Sequence, residues 1–132
     1  MDKSGCIQNR QRKGLLIAKR YGNEAFAWAA GLLDARGSLY VKRSAVHTHK
    51  RPVLALSYKL TDRETLERFA ATVGIAGTLC KLRRPSAGGS AVWQLQYNGR
   101  RAESVVAAVE PWLGSRRLDQ LAAIREELAR EV

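Results

Sequence analysis

Residues 29–38 read Ala-Ala-Gly-Leu-Leu-Asp-Ala-Arg-Gly-Ser and carry most of the information about the architecture of this chain. Upstream, the residues from Ala25 to Leu33 are apolar around almost the whole helix circumference, which predicts a helix buried on more than one side. Asn23 suits the N-cap, and Glu24 suits the first turn. Because Gly37 ends the helical pattern, the sequence predicts a buried helix followed directly by a strand.

Alternating apolar and polar residues predict four strands, at residues 38–46, 53–60, about 77–84 and 91–97. Loops at residues 47–50 and 85–90 join these strands into two hairpins. The side chains expected on the inner face are those of Leu39, Val41, Ala45, Leu54, Leu56, Tyr58, Leu60, Trp93, Leu95 and Tyr97. Those expected on the outer face belong to Ser38, Tyr40, Lys42, Ser44, Ala55, Ser57, Lys59, Gln94 and Gln96.

Three further helices are predicted between and after the hairpins. Thr61-Asp62-Arg63-Glu64 has the pattern of a capping box and starts a helix that Gly74 ends. Two last helices follow near residues 102–113 and 116–130, and Gly114-Ser115 separates them. The predicted fold class is therefore α+β in the order αββαββαα, with a four-stranded antiparallel sheet and helices on one face.

The domain organisation follows from length and charge. Residues 21–132 are expected to form one domain, and residues 1–20 a flexible basic arm that either contacts DNA phosphates or has no task. The outer sheet face has no remaining helix to cover it. A small polar and basic sheet face of this kind fits the major groove of duplex DNA, which is about 12 Å wide. An ordinary solvated face is the alternative.

The charge balance points to a polyanionic partner. The chain of 132 residues has 23 Lys and Arg against 12 Asp and Glu, a formal net charge of +11. Nucleic acid is the leading partner, and no apolar run reaches the roughly 18 residues that a spanning helix needs, so no membrane partner is expected. Cys6 and Cys80 belong to no zinc or secreted-disulfide pattern. Without an apolar signal core the protein is expected to be cytoplasmic, and nucleoid-associated if bacterial.

The segment at residues 29–38 resembles the motif that names the LAGLIDADG homing endonucleases. The resemblance spans about Glu24 to Leu128, and the order of helices and strands agrees with a member that has a single motif. Val109-Glu110-Pro111-Trp112-Leu113, followed by Arg116-Arg117, is also similar to the family's C-terminal segment. The resemblance implies the LAGLIDADG fold and, by family analogy only, an origin in a phage or mobile element.

Small residues on the motif helix predict a homodimer. Ala27, Ala30 and Gly31 allow another backbone to approach closely, and a helix with apolar residues on so many sides is expected to pack against its twin. The resemblance implies the same arrangement, with Asp34 near the helix–helix interface and a near-palindromic DNA target. The alternative is that these small residues pack only against the C-terminal helices of their own chain.

One residue of the motif departs from the family pattern. The resemblance implies an acid at position 36 that holds a catalytic metal, usually Mg²⁺, but this chain has Arg36 there. A guanidinium does not bind Mg²⁺, whereas it can clamp a phosphate with two hydrogen bonds. Asp34, Asp62 and Arg100 are weak candidates for residual catalysis. The resemblance implies a structural role for Asp34, and helix capping is the expected role of Asp62. No catalytic residue, metal site or cofactor is therefore predicted, with Mg²⁺ needed only if nuclease activity survives.

The sequence is best interpreted as a homodimeric, sequence-specific binder of double-stranded DNA without nuclease activity, acting as a repressor or other regulator. The residues predicted to contact DNA are Arg36, Ser38, Tyr40, Lys42, Ser44, Ser57, Lys59, Gln94, Gln96 and Arg100. Three alternatives remain open. They are an active endonuclease with a displaced metal ligand, an RNA-binding maturase-like protein and a protein-interaction module.

Overall fold

The computed structural model describes residues 7–8, 23–43, 51–82 and 91–130. The elements, in chain order, are strand β1 (Ile7–Gln8), helix α1 (Asn23–Arg36), strands β2 (Gly37–Lys42) and β3 (Val53–Leu60), helix α2 (Arg63–Val73), strands β4 (Thr78–Leu82) and β5 (Val92–Asn98), helix α3 (Arg100–Val109), a 3₁₀ turn (Glu110–Trp112) and helix α4 (Ser115–Arg130). The predicted α+β class and the predicted order of the helices and long strands are confirmed.

All the strand pairs within the described residues are antiparallel, and the sheet has the order β1-β4-β5-β3-β2. Four of these strands are the predicted ones. The fifth, β1, lies at the edge and pairs Ile7 with Leu79 and Gln8 with Thr78. Strand β1 falls within the predicted basic arm, so part of that arm has regular structure. The sequence did not predict this strand, because two residues are too few to show an alternating pattern. The remainder of that arm lies outside the described residues.

The core lies between the sheet and the helices. The predicted inner-face residues Leu39, Leu56, Tyr58, Leu95 and Tyr97 are all buried, and they form one cluster with buried residues of the four helices. Burying these apolar side chains is the main stabilising contribution to the fold. The second, outer face carries the polar side chains of the alternation, which confirms the predicted two-sided pattern.

The hydroxyl groups of the two core tyrosines differ in their hydrogen bonding. The hydroxyl of Tyr97 donates a hydrogen bond of 2.9 Å to the carbonyl oxygen of Ile75. The hydroxyl of Tyr58 is buried and has no hydrogen-bond partner among the described residues, while its ring lies 4.7 Å from that of Phe69. Burial raises the pKa of both hydroxyls, so both stay protonated at neutral pH.

The junction between α1 and β2 is held by α4. Gly37 follows the last residue of α1 directly, and a side chain there would place its Cβ 2.9 Å from the carbonyl oxygen of Leu33, so only glycine fits. Arg117 is 8% exposed and donates hydrogen bonds to the carbonyl oxygens of Gly37 and Asp34. A buried cation beside the C-terminus of α1 also suits the helix dipole. This anchor fixes the direction in which the chain leaves the motif helix.

Helix α4 also covers the free edge of β2. Gln120 donates a hydrogen bond of 3.1 Å to the carbonyl oxygen of Leu39. Beyond the strand, the guanidinium of Arg43 lies 2.6 Å from the carboxylate of Glu127. Exposed strand edges present unpaired backbone groups that recruit other strands, so this cover blocks pairing of the sheet through β2.

Two predicted boundaries differ from the structure. The N-cap of α2 is Asp62 rather than Thr61, because the carboxylate of Asp62 accepts from the backbone N–H of Glu64. Helix α3 was predicted to reach Leu113 but ends at Val109, and Pro111 lies in the 3₁₀ turn. Proline has no N–H for a helical hydrogen bond, which explains the earlier end.

Candidate nucleic-acid interface

The outer face of the sheet is organised in rows that cross the strands. Strand register places Ser38, Ser57, Gln96 and Thr78 side by side in one row across β2, β3, β5 and β4. The neighbouring rows consist of Lys59, Gln94 and Cys80 on one side, and of Tyr40, Ala55 and Asn98 on the other. These three rows bring together six of the predicted DNA-contacting residues that the structure describes, and a seventh, Lys42, lies one row further along β2. Ser44 lies outside the described residues.

A chain of hydrogen bonds links the side chains of this face. Nε2 of Gln94 donates to Oε1 of Gln96 over 3.2 Å, and Nε2 of Gln96 donates to Oδ1 of Asn98 over 2.7 Å. The same Nε2 of Gln96 donates over 3.0 Å to the hydroxyl of Tyr40, which comes from β2 on the far side of β3. Hydrogen bonds restrict side-chain rotamers, so this polar surface is partly organised before any partner binds.

Two residues of β3 behave differently from the prediction. Ala55 and Ser57 point to the outer face as expected, but both are buried, with Ser57 only 7% exposed. Strand β3 is central, and the hydrogen bond from Gln96 to Tyr40 passes over it from one neighbouring strand to the other. The exposed area that Ser57 offers to a partner is therefore small, and its predicted contact with DNA stays a prediction. Tyr40, at 37% exposed, is the more accessible group.

Asn98 belongs to this face and was missed by the sequence interpretation. The predicted strand stopped at Tyr97, whereas β5 continues to Asn98, whose side chain is exposed. Continuing the alternation from Gln94 and Gln96 by two residues would have found it. Thr78 of β4 is likewise exposed on this face and was not predicted because the register of that strand was ambiguous.

Positive charge on this face is not offset by acids. Residues 35–61 and 68–102, which include strands β2 to β5, contain no Asp or Glu and together hold twelve Lys and Arg. Within the described ranges, every acid lies in a helix, a helix cap or the 3₁₀ turn. Arg36, Lys42 and Lys59 are exposed, and no carboxylate of the described residues lies within salt-bridge distance of them. These three cations therefore have no acidic partner in the part of the chain that the structure describes.

The helical acids, in contrast, are largely paired with arginines. Arg125 lies 3.3 Å from Glu110 and 3.7 Å from Glu103, and Arg63 lies 2.9 Å from Glu67. These pairs are exposed, and exposed pairs contribute only about 0–1 kcal/mol each to stability. Their larger effect is on the distribution of charge, because they neutralise cations of the helical layer, whereas Arg36, Lys42 and Lys59 have no such pair among the described residues.

Arg36 lies in an open pocket of about 520 Å³ between the end of α1 and the start of α2. The pocket is lined by Arg36, Lys59, Leu60, Thr61, Asp62, Thr65 and Val92. Asp62 carries the acidic group among these lining residues, and its carboxylate already accepts two hydrogen bonds. Oδ1 accepts from the backbone N–H of Glu64, and Oδ2 accepts from the hydroxyl of Thr65 over 2.7 Å. The bond from Thr65 is the largest cause of a lowered pKa at Asp62. The expected capping role of Asp62 is confirmed.

Arg100 does not join this pocket. It begins α3 just after Gly99, whose N–H donates to the carbonyl oxygen of Leu54 near the start of β3. Arg36 instead precedes Gly37, which pairs with Tyr58 near the other end of β3. The two arginines thus lie at opposite ends of that strand, so Arg100, a weak candidate for residual catalysis, is not next to the motif position Arg36.

Asp34 is engaged within its own chain. Its Oδ2 accepts a hydrogen bond of 3.0 Å from the N–H of Gly114, just before α4 begins. Its Oδ1 is buried without a hydrogen-bond partner among the described residues. The side chain thus joins the end of α1 to the start of α4, as its expected structural role requires, and it is only partly exposed.

The exposed side of α1 consists of small residues. Ala27, Gly31 and Ala35 are exposed at a spacing of four, so they lie on one side of the helix. Ala30, predicted to lie at the dimer interface, is instead completely buried in the core of its own chain. Helix α1 is apolar on nearly all sides, and its pattern therefore could not show which small residues face inward.

Gly31 is not required by packing within the described part of the chain. Apart from its two chain neighbours and the adjacent backbone of its own helix, a Cβ on Gly31 would have no heavy atom of the described residues within 4 Å, unlike the crowded position of Gly37. Glycine inside a helix is less favourable than alanine by about 1 kcal/mol. The exposed small residues Ala27, Gly31 and Ala35 are named the small-residue stripe below.

Other candidate sites contribute little. In the described segments, no three His, Cys, Asp or Glu side chains are placed to hold one metal ion. His47 and His49 lie outside the described residues. Cys80 lies on the outer face opposite Gln94 and is disulfide-bonded, although the sequence showed no secreted-disulfide pattern.

Comparisons with known proteins add no assignment. Neither the models of known protein families nor the curated protein sequences gave a match to this chain. Among the helices of the described residues, none has the length and apolar character needed to cross a membrane. The fold and the surface described above are therefore the basis for inferring function.

Proposed function

We propose that the outer face of the sheet binds duplex DNA, and that the protein does so as a homodimer on a LAGLIDADG-like scaffold without cleaving the DNA. The observation that carries this proposal is the separation of charge: every acid of the described residues lies in a helix, a helix cap or the 3₁₀ turn, whereas Arg36, Lys42 and Lys59 are exposed with no carboxylate of those residues within salt-bridge distance. DNA carries one negative charge per about 1.7 Å of helix axis, so a face of this kind gains affinity by releasing counterions.

The dimensions of the face support the major groove as its binding site. Lys42 pairs with Val53, and Lys59 lies six residues further along β3. At a rise of about 3.3 Å per residue, the two lysines flank a surface about 20 Å long. This length corresponds to about six base pairs at a rise of about 3.4 Å per base pair. Polar side chains lie between the lysines, so phosphate contacts would flank a region that reads bases.

The small-residue stripe of α1 supports the dimer. Ala27, Gly31 and Ala35 would let the same helix of a second copy approach closely, and a two-fold contact of this type is the commonest in homo-oligomers. Such a dimer presents two sheet faces to DNA and predicts a near-palindromic target.

Arg36 supports binding rather than cleavage. The resemblance places a metal-binding acid at this position, whereas Arg36 and Lys59 bring two cations to the same pocket. The acid that lines this pocket, Asp62, uses both carboxylate oxygens for contacts at the start of α2. A phosphate bound by the guanidinium would balance the positive charge of the pocket without a metal ion. A protein that binds a specific site and does not cut it would act as a repressor or another regulator of transcription.

Selection of bound duplexes from a random pool tests the proposal. We expect enrichment of a near-palindromic site of about 20 base pairs, because each protomer reads one half. A matched competition with structured RNA separates the RNA-binding alternative, since a preference for RNA would contradict the proposal. If no duplex is enriched and binding hardly depends on salt, the protein-interaction alternative is favoured.

A further inference from the structure

We infer that Gln96 is a positioning residue that holds Gln94 and Asn98 in orientations selective for adenine. The inference rests on the proposed function. It goes further by specifying which base the central part of each half-site contains. It follows from the directions of the hydrogen bonds on the outer face and from the groups that these bonds leave free.

Gln96 has little hydrogen-bonding capacity left for DNA. Its Nε2 donates to both Asn98 and Tyr40, which uses both of its N–H groups. Its Oε1 accepts from Gln94. The central amide of the row is therefore committed to its neighbours, and the capacity to bind bases lies on Gln94 and Asn98.

The two outer amides each keep at least one donor and one acceptor. Gln94 has used one N–H of Nε2, so the second N–H and the carbonyl Oε1 remain free. Asn98 accepts one bond at Oδ1, so a second lone pair and both N–H groups of Nδ2 remain. The hydroxyl of Tyr40 accepts from Gln96 and keeps its own proton for donation.

Adenine matches this donor and acceptor pair. In the major groove adenine presents the N6 amino donor beside the N7 acceptor, and a glutamine or asparagine amide binds both at once. Guanine presents two acceptors, O6 and N7, which would place an oxygen of the base against the amide oxygen. Because Gln96 fixes the neighbouring amides, they are restrained from adapting to guanine.

The spacing of the two readers gives a further constraint. Gln94 and Asn98 are four residues apart on β5, which corresponds to about 13 Å along an extended strand. With β5 following the groove, that distance equals the rise of about four base pairs. Each half-site should therefore contain two adenine positions separated by three to four base pairs.

The test compares base preferences in selections from a random duplex pool, using wild-type protein, Gln96→Met, Gln94→Met and the control Thr78→Val. Thr78 lies in the same row as Gln96 and is exposed, but it takes no part in the amide chain. We expect wild type and Thr78→Val to select the two adenines. Gln94→Met should relax one position, and Gln96→Met should relax both by about tenfold, as expected when a bidentate base contact is lost.

Affinity for unrelated duplexes and its salt dependence distinguish this role from a general structural one. Both should be unchanged in Gln96→Met, because Gln96 carries no charge and phosphate contacts determine the salt dependence. If duplex DNA binds but the selected sites lack the paired adenines, or if Gln96→Met retains them, the inference is overturned while the proposed function stands. If wild type binds no duplex, the proposed function itself fails and the inference fails with it.

Discussion

The guanidinium of Arg117, on α4, donates a hydrogen bond to the main-chain carbonyl oxygen of Gly37, the first residue of β2. This contact joins positions 80 residues apart at the point where α1 becomes the edge strand of the sheet. Arg36 and Ser38 flank that carbonyl in sequence. The C-terminal helix therefore supports the part of the chain that presents the predicted DNA contacts.

Replacing Arg117 by methionine should destabilise the fold. The substitution removes donors to the carbonyl oxygens of Gly37 and Asp34 and leaves them without that partner. Leaving a buried polar group unsatisfied costs about 1–3 kcal/mol, so the free energy of unfolding measured in urea should fall by about that amount. Arg116→Met is the matched control, because Arg116 is exposed and should change stability by less than about 0.5 kcal/mol. Equal effects of the two variants would contradict this assignment.

Gly31→Leu should weaken the proposed dimer without unfolding the chain. The position has open space within the chain, and leucine favours the helix over glycine by up to about 1 kcal/mol. In a dimer that packs the small-residue stripes together, the larger side chain would separate the helices. Sedimentation equilibrium should therefore show a dimer for wild type and monomer for Gly31→Leu.

Ala123→Leu controls for an added leucine on a helix surface, because Ala123 is exposed on a different helix, α4, and does not belong to the stripe. This variant should remain a dimer. A monomeric wild-type protein, or a dimer that tolerates Gly31→Leu, would contradict the proposed interface.

The cap of α2 predicts a pH dependence of stability. Hydrogen bonds from Thr65 lower the pKa of Asp62 in the folded protein. A carboxyl pKa lowered by folding stabilises the protein above the unfolded pKa, and this contribution is lost as the pH falls through the folded pKa. Asp62→Ala should therefore lower the thermal midpoint at neutral pH, with a smaller difference in acid. The exposed Asp119→Ala is the control.

Thr65→Val provides a direct measurement of the same contact. Removing the hydroxyl should raise the pKa of Asp62 towards its ordinary value. The pKa is measured by following the NMR signal of the Asp62 carboxyl carbon as the pH changes. An unchanged pKa would show that the hydroxyl does not cause the shift.

Wild-type protein should not cleave the DNA that it binds. With Arg36 in place of a metal-binding acid, incubation with the selected duplex and Mg²⁺ or Mn²⁺ should leave both strands intact. Gel analysis under denaturing conditions measures this outcome. A site-specific double-strand break would favour the alternative of an endonuclease with a displaced ligand.

Local patterns in the sequence predicted the elements and the two faces of the strands. Alternation placed Tyr40 and Gln96 outward because residues of one strand point to opposite faces whatever the neighbouring strands do. Capping chemistry located the start of α2 to within one residue. These features depend on residues close together in the chain.

Features that depend on distant segments could not be predicted in this way. Ser57 is buried because side chains from β2 and β5 meet above β3. The uniform apolar pattern of α1 contained no information on whether Ala30 or Gly31 faces the core. Arg117 was identified only as part of a basic pair, since its buried role requires the carbonyl of Gly37 from the opposite end of the chain.

The salt dependence of duplex binding tests the central proposal most directly. Fluorescence anisotropy should be measured at several salt concentrations for wild type and for Lys42→Ala/Lys59→Ala, with Arg130→Ala as a control on the far end of α4. If both lysines contact phosphates, the slope of log K against log salt should decrease by about 2 per protomer, while the control keeps the wild-type slope. The same slope in the double variant and wild type would contradict DNA binding by the outer sheet face.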